Sequence, residues 1–186
     1  FNANGEKFQA GKVKPLDQNG DYIINASDRV ILGNKDPRLT LGWSNSFNYK
    51  GLELNVELFG RIGYMISAGG EAQSGTSNQR TIDYWTPENT DAEWQKPIYT
   101  GTPGVSGDAY SSLLGIKAAS FVKFRNVSLG YFLPSNLSKN LGLRTLKVYG
   151  QLKNPGNLYS SVSFMDLDMG TTFYDRGITF GLEVGF

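Results

Sequence analysis

The sequence predicts an all-β protein whose strands are antiparallel and belong to the C-terminal part of a larger transmembrane barrel. Three observations point there. Apolar and polar residues alternate with period two in about five stretches. The connections between those stretches alternate between short and long. The composition is that of a β protein with tight turns and anchored rings, with 23 Gly, 10 Tyr and 11 Phe in 186 residues. No stretch approaches the roughly 18 consecutive apolar residues of a membrane-crossing helix, a limit that does not apply to barrel strands of about 9–11 residues.

Residues 1–37 are polar and rich in Asp, Asn and Gly, and read as a loop. From Arg38 the alternation begins, with Leu39, Leu41, Trp43, Phe47 and Tyr49 on one face and Thr40, Gly42, Ser44, Ser46 and Asn48 on the other. Lys50-Gly51 reads as a two-residue turn. A second strand follows, with Leu52, Leu54, Val56, Leu58, Ile62, Tyr64 and Ile66 on one side and Glu53, Asn55, Glu57 and Arg61 on the other. Residues 67–117 show neither period and form a long Gly/Ser/Thr/Pro-rich loop. Alternation resumes near Ser120 and runs to Phe132, but Val122 and Phe124 differ in phase from Val127, Leu129 and Tyr131, which predicts a β-bulge near Arg125-Asn126. Pro134–Gly142 reads as a helical connector, with Ser135 as its N-cap and Gly142 as its stop. A fourth strand starts near Arg144 and is expected to end before Pro155, with Asn157 to Asp175 as a loop. Ile178, Phe180, Leu182, Val184 and Phe186 form one face of the last strand.

A soluble sandwich also has one apolar face per strand, so the connections decide. With the last strand descending to the periplasm, every short connection falls on the periplasmic side and every long one outside the cell. Residues 1–37 become an extracellular loop, and 38–186 the barrel strands together with the long extracellular loop 67–117. Five strands cannot close a barrel, since about eight are the minimum for a filled interior, so further strands are expected elsewhere in the polypeptide.

The chain contains no His and no Cys. That removes Ser-His-Asp and Cys-His nucleophiles, imidazole or thiolate zinc sites, Fe–S clusters and disulfides. A net charge of +1 gives no electrostatic footprint for nucleic acid. Glu53 and Glu57 invite a glycosidase reading, but i and i+4 on a strand stand about 13 Å apart, too far for such a pair. They read as a stripe facing the barrel interior, and no enzyme is predicted.

Asp17, Asn19, Asp21, Asn25 and Asp28 place oxygen atoms at positions 1, 3, 5, 9 and 12 of a short loop, with the Ile23 carbonyl at position 7. That spacing suits Ca²⁺, here expected to stiffen an extracellular loop. The competing reading is an Asx-turn-rich loop whose side chains cap its own backbone. Tyr84, Trp85, Trp94 and Tyr99 in the long loop are candidates for stacking on substrate, or for that loop's own small core. Trp43, Tyr49, Tyr64 and Tyr131 read as barrel-surface and girdle residues. Phe180, Leu182, Val184 and Phe186 form the pattern expected of a membrane-assembly signal, recognised by strand pairing in the outer-membrane insertion machinery.

Three segments occur in an order that resembles one family. They are Asp17-Gln18-Asn19-Gly20-Asp21 with Asp28-Arg29 and Gly33-Asn34, then Tyr84-Trp85-Thr86-Pro87-Glu88-Asn89, then Phe121 to Pro134. Together with the aromatic-ended last strand they resemble the C-terminal region of SusC/RagA-type TonB-dependent transporters. The resemblance implies a plugged barrel of about 22 strands in the outer membrane of a Gram-negative, Bacteroidota-like cell. It implies import of oligosaccharides or peptides under a SusD-like surface lipoprotein, with TonB engaged through a part outside this chain. One stretch departs from the family: where a Gly-Gln-Asn-Leu-Phe sequence is usual, Gly150–Leu158 keeps only parts of it and contains Pro155. The alternative function is a soluble, calcium-stabilised extracellular β-domain that binds glycans.

Overall fold

The computed structural model describes residues 7–68, 82–98, 101, 107–170 and 174–186. The chain forms two compact units, one from Phe1–Lys35 with Met65–Ala118 and one from Asp36–Tyr64 with Ala119–Phe186. Among the described residues no helix is long and apolar enough to cross a membrane.

The sheet has five strands: β1 (Leu39–Tyr49), β2 (Leu52–Ser67), β3 (Ile116–Phe132), β4 (Thr145–Ser160) and β5 (Gly177–Gly185). They neighbour one another in chain order, so the sheet is a meander with β1 and β5 at its edges. The β1–β2 hairpin turns on Lys50 (φ 47°) and Gly51 (φ 86°), and two consecutive positive φ values make this a type I′ turn, whose twist matches that of the flanking strands. The turn fixes the register: Tyr49 faces Leu52, Phe47 faces Leu54 and Trp43 faces Leu58. Every apolar residue named above for β1 therefore lies beside the apolar set of β2, as the alternation requires. In β4 and β5 the pairs Leu146–Val184, Val148–Leu182 and Leu152–Ile178 do the same. Leu129 and Tyr131 join them opposite Gly150 and Val148. This face is solvent-exposed across Leu41, Trp43, Phe47, Tyr131, Val148, Leu182 and Phe180, the reverse of what a water-soluble sheet does with its apolar side.

The bulge expected in β3 is present. Its register against β4 shifts between Val122 and Lys123 and again between Phe124 and Asn126. Phe121, Lys123 and Arg125 thereby share the face opposite to Val127, Leu129 and Tyr131.

Three local expectations are corrected. Pro155 does not end β4, which runs on to Ser160, so the following loop begins later than Asn157. Asn154 and Pro155 fall in the register gap between the pairs Phe124–Gly156 and Asn126–Lys153, where the ladder asks nothing of the missing Pro155 N–H. Ser135 is not the N-cap: the short helix α1 spans Ser135–Asn140 with Pro134 before it, and makes no side-chain cap there. Its end does follow expectation. Gly142 stands at φ 73°, and the bonds from Leu143 N to Ser138 O (3.0 Å) and Gly142 N to Lys139 O (2.9 Å) close a Schellman motif. Tyr64 is not a surface girdle residue but 9% exposed. Gly63, at φ 75°, breaks the alternation and lets the Tyr64 hydroxyl donate to the Leu167 carbonyl at 3.5 Å.

Candidate functional site

The polar face of the sheet carries two clusters. Near the hairpin, the Lys147 ammonium lies 2.7 Å from Glu53 Oε2, and Asn55 Nδ2 donates to Glu53 Oε1 at 2.7 Å and to Ser128 Oγ at 3.3 Å. Glu53 is thus a partner for Lys147, which supports the interior polar stripe over a glycosidase carboxylate. Beyond the bulge, Lys123 is 2% exposed and Asp166 1%. The Lys123 Nζ lies 3.1 Å from Asp166 and 3.0 Å from Asp168. Asn154, held at φ 51° by the bulge, donates its Nδ2 to Asp166 Oδ2 at 2.9 Å, and the Asp168 N–H donates to Asp166 Oδ1 at 2.9 Å. Burial pushes the Asp166 carboxyl upward, but the bonds from Asn154, Asp168 N–H and Lys123 outweigh it and hold the pKa below the ordinary aspartate value. This network pins the segment after β4 to the sheet, and sequence reading missed it. The available signal was Lys123 inside the apolar run Phe121–Phe124, with Asp166 and Asp168 spaced to meet it.

The Asp/Asn-rich loop folds on itself. Asp17 accepts the N–H groups of Gly20 (2.7 Å) and Tyr22 (2.8 Å), Asp21 accepts that of Ile23 (2.8 Å), and Asn19 Oδ1 accepts that of Asp21 (3.0 Å). Asn25 Oδ1 accepts Ser27 N–H at 2.8 Å, and its own Nδ2 donates to the Ile23 carbonyl at 3.3 Å. Asp28 reaches back to the N–H groups of Asn25 and Gln18, at 2.8 and 2.9 Å, and those bonds hold its pKa below the ordinary value. The side chains cap the backbone, as the Asx-turn reading requires. Among the described residues no group of three or more His, Cys, Asp or Glu is arranged as metal ligands. The donors are all oxygens with lone pairs to spare, which is the chemistry a hard cation takes.

In the same unit Trp94 is 5% exposed, with the Lys117 ammonium 5.5 Å from its ring. The Trp85 ring packs on the Gly11 backbone and its backbone N–H donates to the Trp94 carbonyl at 2.8 Å, so Trp85 and the buried Trp94 belong to a small local core. Tyr84 is exposed. Tyr99 lies outside the described residues. A cleft of about 970 Å³ runs along this core, with Phe8, Tyr22, Trp85, Trp94 and Gln95 among its walls. On β5, Phe180, Leu182 and Val184, with Phe186 just beyond it, present exposed side chains along an edge strand.

A meander with an exposed apolar face, a polar ion-paired face and two open edges is the architecture of a membrane-barrel segment. The comparisons agree. The chain is 27% identical to TonB-dependent receptor P3 of Formosa agariphila over 92% of its own length, and 30% identical to TonB-dependent receptor P26 of the same organism over 75%. It spans 18% and 14% of those proteins. Solved structures of the RagAB peptide transporter, and of that importer in its open-open state, match 84% of the chain with TM-scores of 0.57 and 0.54 at 20% and 21% identity. The match spans 18% of the solved chain in each case. No family model matches. The chain is thus a relative of TonB-dependent receptors, folded as a segment of a RagA-type barrel, and the resemblance read from its residues is borne out.

Proposed function

We propose that this chain is the C-terminal barrel segment of an outer-membrane importer powered through TonB, which takes up oligosaccharides or peptides together with a SusD-like surface lipoprotein in a Bacteroidota cell. The exposed apolar face shared by β1, β4 and β5, backed by a face that bears ion pairs, carries the reading. One face meets lipid and the other the barrel interior, while the plug and the TonB contact belong to parts of the relatives beyond the stretch matched here. The segment performs no chemistry of its own. Extraction of the native protein from cell membranes tests the reading. Recovery in the outer-membrane fraction, as heat-modifiable β structure soluble only in detergent, is expected. A 186-residue monomer that folds cooperatively without detergent would instead favour a soluble glycan-binding domain.

Within that reading the Asp17–Asp28 loop is a Ca²⁺ site that stiffens an extracellular segment. Its support is the spacing of the oxygen donors at Asp17, Asn19, Asp21, Asn25 and Asp28 within one short loop. Isothermal titration is expected to show Ca²⁺ uptake that Asp21→Ala abolishes, and equal traces for parent and variant would remove the site.

A further inference from the structure

Two arginines share one ring on the polar face of the sheet. The Arg125 guanidinium carbon stands 3.8 Å from the Phe59 ring centroid and that of Arg61 5.4 Å. Phe59 is itself backed by Phe121, at 6.0 Å between centroids. A guanidinium stacked on a ring is held in orientation while its N–H edge stays free to bind.

The charges around this ring are not all taken up by ion pairs. Asp166 and Asp168 are already committed to Lys123, at 3.1 and 3.0 Å. Arg125 reaches Asp168 only at 3.4 Å, the long limit of a hydrogen bond, and its side chain remains 43% exposed. Arg61 makes no ion pair among the described residues, and neither does Glu57, two positions from Phe59 on the same face. Lys123, Arg125 and Arg61 stand against Asp166, Asp168 and Glu57, so the cluster is balanced overall, but Arg61 is in no ion pair among the described residues and Arg125 keeps its side chain 43% exposed beside it.

We propose that Arg61 and Arg125, oriented by Phe59, form a carboxylate-binding site on the polar face of this sheet. The planar forks suit the two oxygens of a carboxylate, and the partly buried setting strengthens the attraction. The carboxylate comes either from passing cargo or from an acidic side chain elsewhere in the same polypeptide. The site goes beyond the transporter reading, which supplies only the identity of the face as barrel interior.

The test uses the full-length protein purified in detergent and titrated with the tripeptides Gly-Glu-Gly and Gly-Gln-Gly. It reads binding and not uptake, so it fails or succeeds apart from the membrane extraction that tests the transporter. A cargo site binds the Glu peptide roughly tenfold tighter than the Gln peptide at low salt. Arg61→Gln and Arg125→Gln erase that preference, and Arg61→Lys keeps part of it. A site filled by the protein's own acidic side chain shows no preference in the parent, but hydrogen exchange around Phe59 and Arg125 rises in Arg61→Gln and not in Glu57→Gln. Equal binding of the two peptides together with unchanged exchange in Arg61→Gln overturns the proposal. The peptide comparison on the parent protein stands even where a variant does not assemble.

Discussion

At the scale of single residues the structure's strongest commitment is Lys123. An ammonium buried this deeply is tolerated because two carboxylates face it and the Asn154 Nδ2 supports one of them, and removing one member leaves charge with no solvent to receive it. Lys123→Met is expected to destabilise the docking of the segment after β4 by about 3–5 kcal/mol. Hydrogen exchange at Asp168 and neighbouring amides should speed up while the strands stay protected, and unchanged exchange would show that the pair holds nothing. The network also has a pH signature. The Asp166 pKa is lower in the folded protein than its ordinary value of 3.8, so the carboxylate's contribution is fully present above that value and lost as pH falls through the folded one. Docking should therefore survive neutral and mildly acid solution and weaken only in strong acid. The sequence displayed the three charged partners but not their meeting, which depends on the bulge that turns Lys123 to the polar face and places Asn154 at φ 51°. The oxygen-rich loop was legible because its side chains act on backbone only a few positions away.

At the scale of elements, strands and their faces were legible because the side-chain period of two is imposed by the pleat itself and needs no tertiary information. What escaped was set by partners. Pro155 signals a strand end locally, yet the neighbouring strand skips that position. Tyr64 continues the alternation on paper, yet Gly63 at φ 75° reverses it. The Lys50-Gly51 turn offers a clean measurement of how far local geometry fixes the register. A Cβ on Gly51 would carry the left-handed penalty, about 1–2 kcal/mol, and would stand 2.9 Å from the Phe132 carbonyl oxygen. Gly51→Ala should lower the urea midpoint of the full-length protein in detergent. Lys50→Asn, which suits the φ of 47°, should leave it unchanged or raise it slightly. A Gly51→Ala midpoint equal to the parent's would mean that the hairpin is held by packing and not by its turn.

At the scale of the whole molecule, the sheet ends at β1 and β5 with unpaired backbone edges, and in lipid such edges must be closed by further strands. Its relatives are several times longer than this chain, consistent with strands supplied from elsewhere in the polypeptide. β5, like β1, then needs a partner strand from elsewhere in the polypeptide. Its Ile178, Phe180, Leu182 and Val184 face outward, and Phe186 follows them, 92% exposed. A ring left exposed at the end of an edge strand contributes nothing to the sheet's own packing, so its value lies in what it meets afterwards. Transfer of one such side chain out of water is worth about 1.5–3 kcal/mol, enough to bias how the strand registers as the barrel closes. Deleting Phe186 should therefore lower the fraction of full-length protein assembled in the outer membrane, read by heat-modifiable mobility. It should leave the ion pairs of the opposite face and the β1–β2 hairpin intact. Phe186→Tyr, which keeps the ring, should restore most of the assembly, and Phe186→Ser should not. Wild-type assembly in the deletion would show that pairing along β5, and not its terminal ring, carries the recognition.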